Sequence, residues 1–84
     1  MSVNKSNLLK YDKVFIKSFG IKQTDLKKKD VKYNSIQKWD SVGHMAMIGK
    51  LEDTFGITLE MDDIIDFSSY KKGIKILKKY KIKF

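Results

Sequence analysis

The residues that decide the fold are those from 39 to 57, which read WDSVGHMAMIGKLEDTFGI. An Asp-Ser pair stands near the beginning of this stretch and Gly56 near its end, and these residue types favour the start and the end of a helix. At about 100° per residue, four apolar side chains cluster on one side: Met47, Ile48, Leu51 and Phe55. The stretch therefore predicts a helix that begins at Asp40-Ser41, ends at Phe55 and turns this side toward a core.

Helical periodicity recurs on both sides of this central helix. Upstream, a stripe at spacings of three and four, followed by Gly20, predicts a first helix: Leu8, Tyr11, Phe15 and Phe19. Downstream, Asp62 to Asp66 makes about one helical turn. Ser68 or Ser69 then caps a last helix, in which three side chains point inward: Tyr70, Ile74 and Leu77.

The periodicity is lost from Ile21 to Asp40, which predicts a long loop of about twenty residues that is functional or pinned by its apolar side chains. We therefore expect an all-α fold, a small four-helix bundle of three longer helices and one short helix, with this loop between helices one and two. At 84 residues the chain is too short for two cores, so residues 1–84 are expected to form a single domain.

Composition excludes several classes of protein. The chain has no cysteine and one histidine, which removes disulfides and thiol catalysis and makes a structural metal site an unexpected feature. No apolar run approaches the roughly 18 residues of a membrane span, and the first residues lack the apolar centre of a signal peptide. We expect a cytoplasmic protein without stable membrane insertion.

The net charge of +8 is unevenly distributed. Residues 1–39 hold ten lysines and three acids, residues 40–66 one lysine and seven acids, and residues 67–84 seven lysines and no acid. An acidic middle between basic flanks matches a phosphate backbone poorly, and the absence of arginine removes the best residue for bidentate phosphate contacts. A basic nucleic-acid-binding bundle is therefore kept only as the weakest alternative.

No pair of residues constitutes a nucleophile and its base, so the chain is not expected to be an enzyme. The best candidate for chemistry is Ser41, because the dipole and the unpaired N–H groups at a helix N-terminus favour an anion such as a phosphodiester. On the dipeptide alone, the simpler interpretation is that Asp40 or Ser41 only caps the helix.

Four segments together resemble the acyl carrier protein family: residues 39–45, 51–57, 62–64 and 67–70. In that family an Asp-Ser pair opens helix two, an acidic pair and a Phe close it, a short acidic helix follows, and a small hydroxylated pair starts the last helix. The resemblance runs from Asp40 to Leu77, and residues 19–26 are similar to the family's turn after helix one. It covers nearly the whole chain.

The resemblance implies a carrier. Ser41 would receive a 4′-phosphopantetheine arm from coenzyme A through a phosphopantetheinyl transferase. Asp40 would lie beside the magnesium site of that transferase. The thiol of the arm would hold an acyl or aminoacyl group as a thioester, loaded by a ligase and passed to an acyltransferase or synthase. This imported thiol would explain function without cysteine. A monomer would suffice for this role, because one arm is presented to each partner in turn.

The family docks on its enzymes through an acidic and partly apolar helix two. The resemblance assigns this role to four residues: Val42, Met45, Glu52 and Asp53. Gly43 and Ala46 stand where acids are usual, and Lys50 adds the opposite charge, so the docking surface is diluted. This favours a specialised carrier of one dedicated pathway, such as surface-polysaccharide or secondary-metabolite synthesis.

Several further residues remain open between structural and functional roles. His44 is expected to pack or form a hydrogen bond near the long loop, and Trp39 to anchor that loop. Seven residues are candidate linings of a cargo pocket, although each is more typical of plain core: Ile48, Leu51, Ile57, Leu59, Ile64, Phe67 and Ile74. The main alternative to a carrier is an unmodified helical adaptor that works only by docking.

Overall fold

The computed structural model describes residues 5–28 and 30–84, and within these ranges the secondary structure is helical, with a single isolated β-bridge. The helices are α1 Lys5–Phe19, α2 Gln23–Lys28, α3 Ser41–Phe55, α4 Met61–Asp66 and α5 Tyr70–Lys78. The predicted small all-α bundle is confirmed, with five helices in place of four.

The core forms where α1 packs against α3. From α1, the predicted stripe contributes Tyr11, Phe15 and Phe19, all buried. From α3, Met47, Ile48 and Leu51 are buried as predicted, whereas Phe55 is only partly buried. Gly56 ends α3 in the left-handed conformation at φ 64°, which glycine adopts without steric cost.

The prediction of one long loop from Ile21 to Asp40 is wrong in its first part, because Gln23–Lys28 forms α2. The Asp25 carboxylate accepts a hydrogen bond from the Lys22 amide at 3.0 Å, and Leu26 is buried. A helix of six residues with one buried apolar side chain is too short to show an apolar period.

The rest of this connection is pinned by its apolar residues, as predicted. Val31 and Trp39 are buried in the core, so Trp39 is confirmed as an anchor of the loop. The backbone also pairs with the start of α5, since the Tyr33 amide donates to the Ser68 carbonyl at 2.9 Å and the Tyr70 amide to the Val31 carbonyl at 2.8 Å. From Val31 onward the loop therefore has a fixed course up to the start of α3.

Helix α5 begins directly after the second serine of the pair. Ser69 is the N-cap residue, and its hydroxyl accepts a hydrogen bond from the Lys72 amide at 3.0 Å. Leu77 is buried as predicted, together with Ile76, whereas Ile74 and Tyr70 are only partly buried. The helix therefore turns slightly more toward Ile76 than the apolar spacing indicated.

A buried carboxylate joins α1 to α2 and α5. Asp12 accepts hydrogen bonds from Gln23 Nε2 at 2.6 Å and from Tyr70 Oη at 2.5 Å. Burial, and then the hydrogen bond to Asp12, raise the pKa of Tyr70 well above its usual value. Burial likewise raises the pKa of Tyr11, which donates to the Tyr70 carbonyl at 2.6 Å. Both phenols therefore stay protonated at neutral pH and act as donors.

Two glycines in helices test the packing in opposite directions. A Cβ at Gly73 would collide with the ring of Phe67 and with the hydroxyl oxygen of Tyr11, two residues that are fully buried. We therefore expect Gly73→Ala to destabilise the protein by about 1–3 kcal/mol, because a well-packed core cannot absorb an added methyl group without moving. The free energy of unfolding, measured by urea denaturation, would test this.

The matched control is Gly49→Ala in α3, where a Cβ would have nothing within 4 Å. There the change should stabilise the protein by about 0.5–1 kcal/mol, because alanine loses less backbone entropy than glycine in a helix. Equal effects of the two substitutions would contradict this description of the core.

Candidate functional site

Ser41 stands at the first position of α3, directly after its N-cap residue. Asp40 has an extended backbone, and its Oδ1 accepts a hydrogen bond from the Gly43 amide at 2.8 Å. The capping role is therefore filled by Asp40 and not by Ser41. Ser41 is exposed, and no protein group in the described part of the chain forms a hydrogen bond with its hydroxyl. The hydroxyl is thus accessible at the positive end of a fifteen-residue helix.

Gly43 is required by the close approach of the loop to α3. A Cβ on this residue would collide with the backbone carbonyl of Lys38 and would lie 3.3 Å from Asp40 Oδ1. Because a backbone carbonyl cannot move aside as a flexible side chain can, any larger residue here would displace the loop. Gly43, which stands where the family that the sequence resembles usually has an acid, therefore has a structural reason.

His44 connects the loop, α3 and α4. Trp39 Nε1 donates a hydrogen bond to His44 Nδ1 at 2.9 Å, and His44 Nε2 lies 2.8 Å from the carbonyl oxygen of Ile64. Since an indole N–H can only donate, Nδ1 must accept, and the neutral imidazole carries its proton on Nε2 and donates it to Ile64. The two rings are nearly parallel, at 13°. The expected hydrogen bond of His44 near the loop is confirmed.

An apolar groove of about 310 Å³ runs beside Ser41, between the loop, α3 and α4. Four of its side chains are both large and exposed, namely Tyr33 at 39%, Met45 at 55%, Met61 at 68% and Ile65 at 70%. The groove is lined by Tyr33, Ser41, His44, Met45, Met61, Ile64, Ile65, Phe67 and Ser68. An exposed hydroxyl therefore borders a surface that would shelter an apolar group from water.

Helix α4, which forms one wall of this apolar groove, is tied to the chain after α5 through Asp63. Its Oδ1 accepts a hydrogen bond from Lys79 Nζ at 2.6 Å, and its Oδ2 accepts one from Tyr80 Oη at 2.5 Å. The Tyr80 oxygen also accepts from the Glu60 amide at 2.9 Å. The hydrogen bond from Lys79, and then that from Tyr80, hold the pKa of Asp63 below its usual value.

The four residues expected to contact partner enzymes are placed differently from one another. Val42 is 79% exposed, and Met45 and Asp53 are also exposed. Glu52 is only partly exposed, and its Oε2 accepts a hydrogen bond from the Leu59 amide at 2.9 Å. One carboxylate of the acidic pair is thus engaged within the fold, and contact of the four with a partner stays a prediction.

The predicted pocket linings divide between groove and core. Ile64 and Phe67 line the apolar groove, whereas Ile48, Leu51 and Leu59 are buried core residues. Ile57 and Ile74 are partly buried and pack against the core. Sequence reasoning missed four groove residues: Tyr33, Met61, Ile65 and Ser68. Met61 and Ile65 are four residues apart on one face of α4, which is the signal that could have identified them.

We expect His44→Phe to destabilise the protein by about 1–3 kcal/mol, because it keeps a ring in place but leaves the buried Trp39 N–H without a partner. Urea unfolding followed by the fluorescence of Trp39, the single tryptophan, measures this directly. Met45→Ala, at an exposed position of the same helix, should change stability by less than about 0.5 kcal/mol. A fully stable His44→Phe variant would show that the hydrogen bond contributes nothing.

The depressed pKa of Asp63 predicts a stabilising effect that depends on pH. The ionised carboxylate stabilises the fold above its unfolded pKa, and this stabilisation is lost as pH falls through the lower folded value. Asp63→Asn should therefore lower the urea midpoint at pH 7, and its difference from the unaltered protein should shrink below about pH 4.

Asp62→Asn, at an exposed position of the same helix, is the control for this measurement and should leave the acid dependence nearly unchanged. A difference between Asp63→Asn and the unaltered protein that stayed constant from neutral to acid pH would contradict the assigned role of the carboxylate.

Comparison with protein-family models gives no match to this chain, and comparison with characterised proteins gives no significant match either. Within residues 5–28 and 30–84, none of the helices has both the length and the apolar character needed to cross a bilayer. The function proposed for the site therefore depends on its geometry and on the resemblance of its residues.

Proposed function

We propose that the protein is an acyl carrier that is modified on Ser41 by a 4′-phosphopantetheine group. The observation that carries the proposal is the combination of an exposed Ser41 hydroxyl at the start of α3 with an apolar groove directly beside it. An exposed serine alone is common at the start of capped helices and would not indicate a carrier. A serine beside an apolar groove is suited to a long arm whose cargo avoids water.

The residues around Ser41 fit the phosphate end of such a group. The first-turn N–H groups of α3 and the helix dipole favour a phosphodiester at this position. Asp40 uses Oδ1 for the helix cap, and its exposed carboxylate would still be accessible to the magnesium site of a transferase. When bound, the group would supply the thiol on which an acyl or aminoacyl cargo is carried as a thioester.

The residues around the apolar groove fit the cargo end. Met45, Met61 and Ile65 are flexible or branched apolar side chains that remain exposed, so they would gain burial when a chain lies over them. His44 joins α3 to α4 beside this groove through its contact with the Ile64 carbonyl, and Asp63 ties α4 to Tyr80 outside the groove. An apolar surface of this kind favours an apolar cargo.

Within this proposal the chain is a carrier without turnover of its own. Its partners would be a phosphopantetheinyl transferase, a loading ligase and an acyltransferase or synthase. The protein would act in the cytoplasm. Val42 and Met45 are exposed near Ser41, where a docked enzyme would meet them. The diluted acidity of α3 supports a dedicated pathway over a housekeeping role.

Intact-mass measurement after incubation with a tolerant phosphopantetheinyl transferase, magnesium and coenzyme A would test this function. We expect the mass to increase by a single phosphopantetheinyl group. Ser41→Ala should abolish the increase, whereas Ser68→Ala, which removes an exposed hydroxyl from the same apolar groove, should leave it intact.

The absence of any increase on a folded sample would overturn the carrier and favour the adaptor that works only by docking. Modification that persists in Ser41→Ala would overturn the assigned site.

A further inference from the structure

A second groove, which we call the lysine groove, lies between α1 and α3. It has a volume of about 300 Å³ and is lined by Lys10, Lys13, Val14, Lys17, Lys50, Asp53 and Thr54. It shares no lining residue with the apolar groove beside Ser41. Four lysine side chains and one aspartate side chain therefore contribute to its lining.

The lysines of α1 form a regular row. Lys10, Lys13 and Lys17 are three and four residues apart, so they share one face over two turns, about 10.5 Å of helix. In the described part of the chain, none of the four groove lysines has a carboxylate oxygen within 4.0 Å. Like charges at this spacing destabilise a helix unless an opposite charge compensates them.

The shape and composition of the lysine groove favour a protein over a membrane or a nucleic acid. Val14 lies among the lysines and is only 6% exposed, so it offers no protruding apolar side chain for insertion into a bilayer. Asp53 repels a phosphate and a carboxylate alike and so does not distinguish these partners, whereas the absence of arginine removes the residue that most commonly contacts guanine bases. A concave surface between two helices fits the convex side of a third helix.

We propose that the lysine groove binds an acidic helix of a partner protein. Carboxylates spaced by three to four and by seven residues on that helix would lie opposite Lys10, Lys13 and Lys17. Lys50 would contact the same helix from α3. The binding would be fast, weak and sensitive to salt, because exposed charge pairs steer association more than they add affinity. This role goes beyond the carrier function and does not depend on modification of Ser41.

A displayed library of helical peptides with randomised surface positions would test the proposal on the unmodified full chain. Selection would use the unaltered protein as target. The doubly substituted Lys13→Glu/Lys17→Glu variant reverses two of the three charges of the row. Lys72→Glu/Lys75→Glu, on exposed positions of α5, changes the net charge by the same amount elsewhere and serves as the matched control. Circular dichroism melting would establish that both variants fold.

We expect the enriched peptides to carry Asp or Glu at spacings of three to four and seven residues. Their affinity should fall about tenfold or more for Lys13→Glu/Lys17→Glu and less than about threefold for the α5 control. Equal losses in the two variants, or peptides without enriched acids, would overturn the proposal, because net charge alone would then explain binding.

Two further probes test whether the lysine groove binds a membrane or a nucleic acid instead. They are vesicles of phosphatidylcholine and phosphatidylglycerol, and a short DNA duplex. For each of these probes, we expect no binding that is lost in Lys13→Glu/Lys17→Glu and retained in the α5 control. Such binding would overturn the acidic-helix proposal in favour of a lipid or a nucleic-acid surface.

Discussion

The burial of Trp39 is the constraint on which the arrangement around α3 depends. Its ring lies 5.0 Å from Phe19 in a stacked arrangement and 5.3 Å from Phe15, edge to face, and it is fully buried. A buried indole N–H needs an acceptor, and His44 provides one. The loop is therefore fixed immediately before α3, and the position of Ser41 two residues later follows from it.

The long helices could be predicted because their stability comes from apolar stripes that are visible in the sequence. Phe15 in α1 and Leu51 in α3 meet in the same core, as their spacing indicated. Helix α2 could not be predicted in this way. It depends on the burial of Leu26 and on the tie between Gln23 and Asp12, and both arise only once the bundle has formed.

The candidate site divides in a similar way. The helix start at Asp40-Ser41 is a local feature, so it could be predicted from the sequence, whereas only the structure shows that Asp40 is the cap and that Ser41 is exposed. The apolar groove was not, because its walls come from segments that are distant in the chain. Met61 becomes a neighbour of Ser41 only after α4 has docked through the hydrogen bond between His44 and Ile64. Periodicity within one helix carries no information about such a contact.

The two grooves use different sides of α3, and this has a consequence for how partners would bind. Met45 lines the apolar groove and Lys50 the lysine groove, and five residues of helix separate them by about 140° around the axis. A helix held in the lysine groove would therefore leave the surroundings of Ser41 open. Under the proposed carrier function, charge would bring a partner to the chain while the apolar groove remained free for the proposed cargo. A chain with a net charge of +8 could thus attract acidic partners through a surface that lies apart from Ser41.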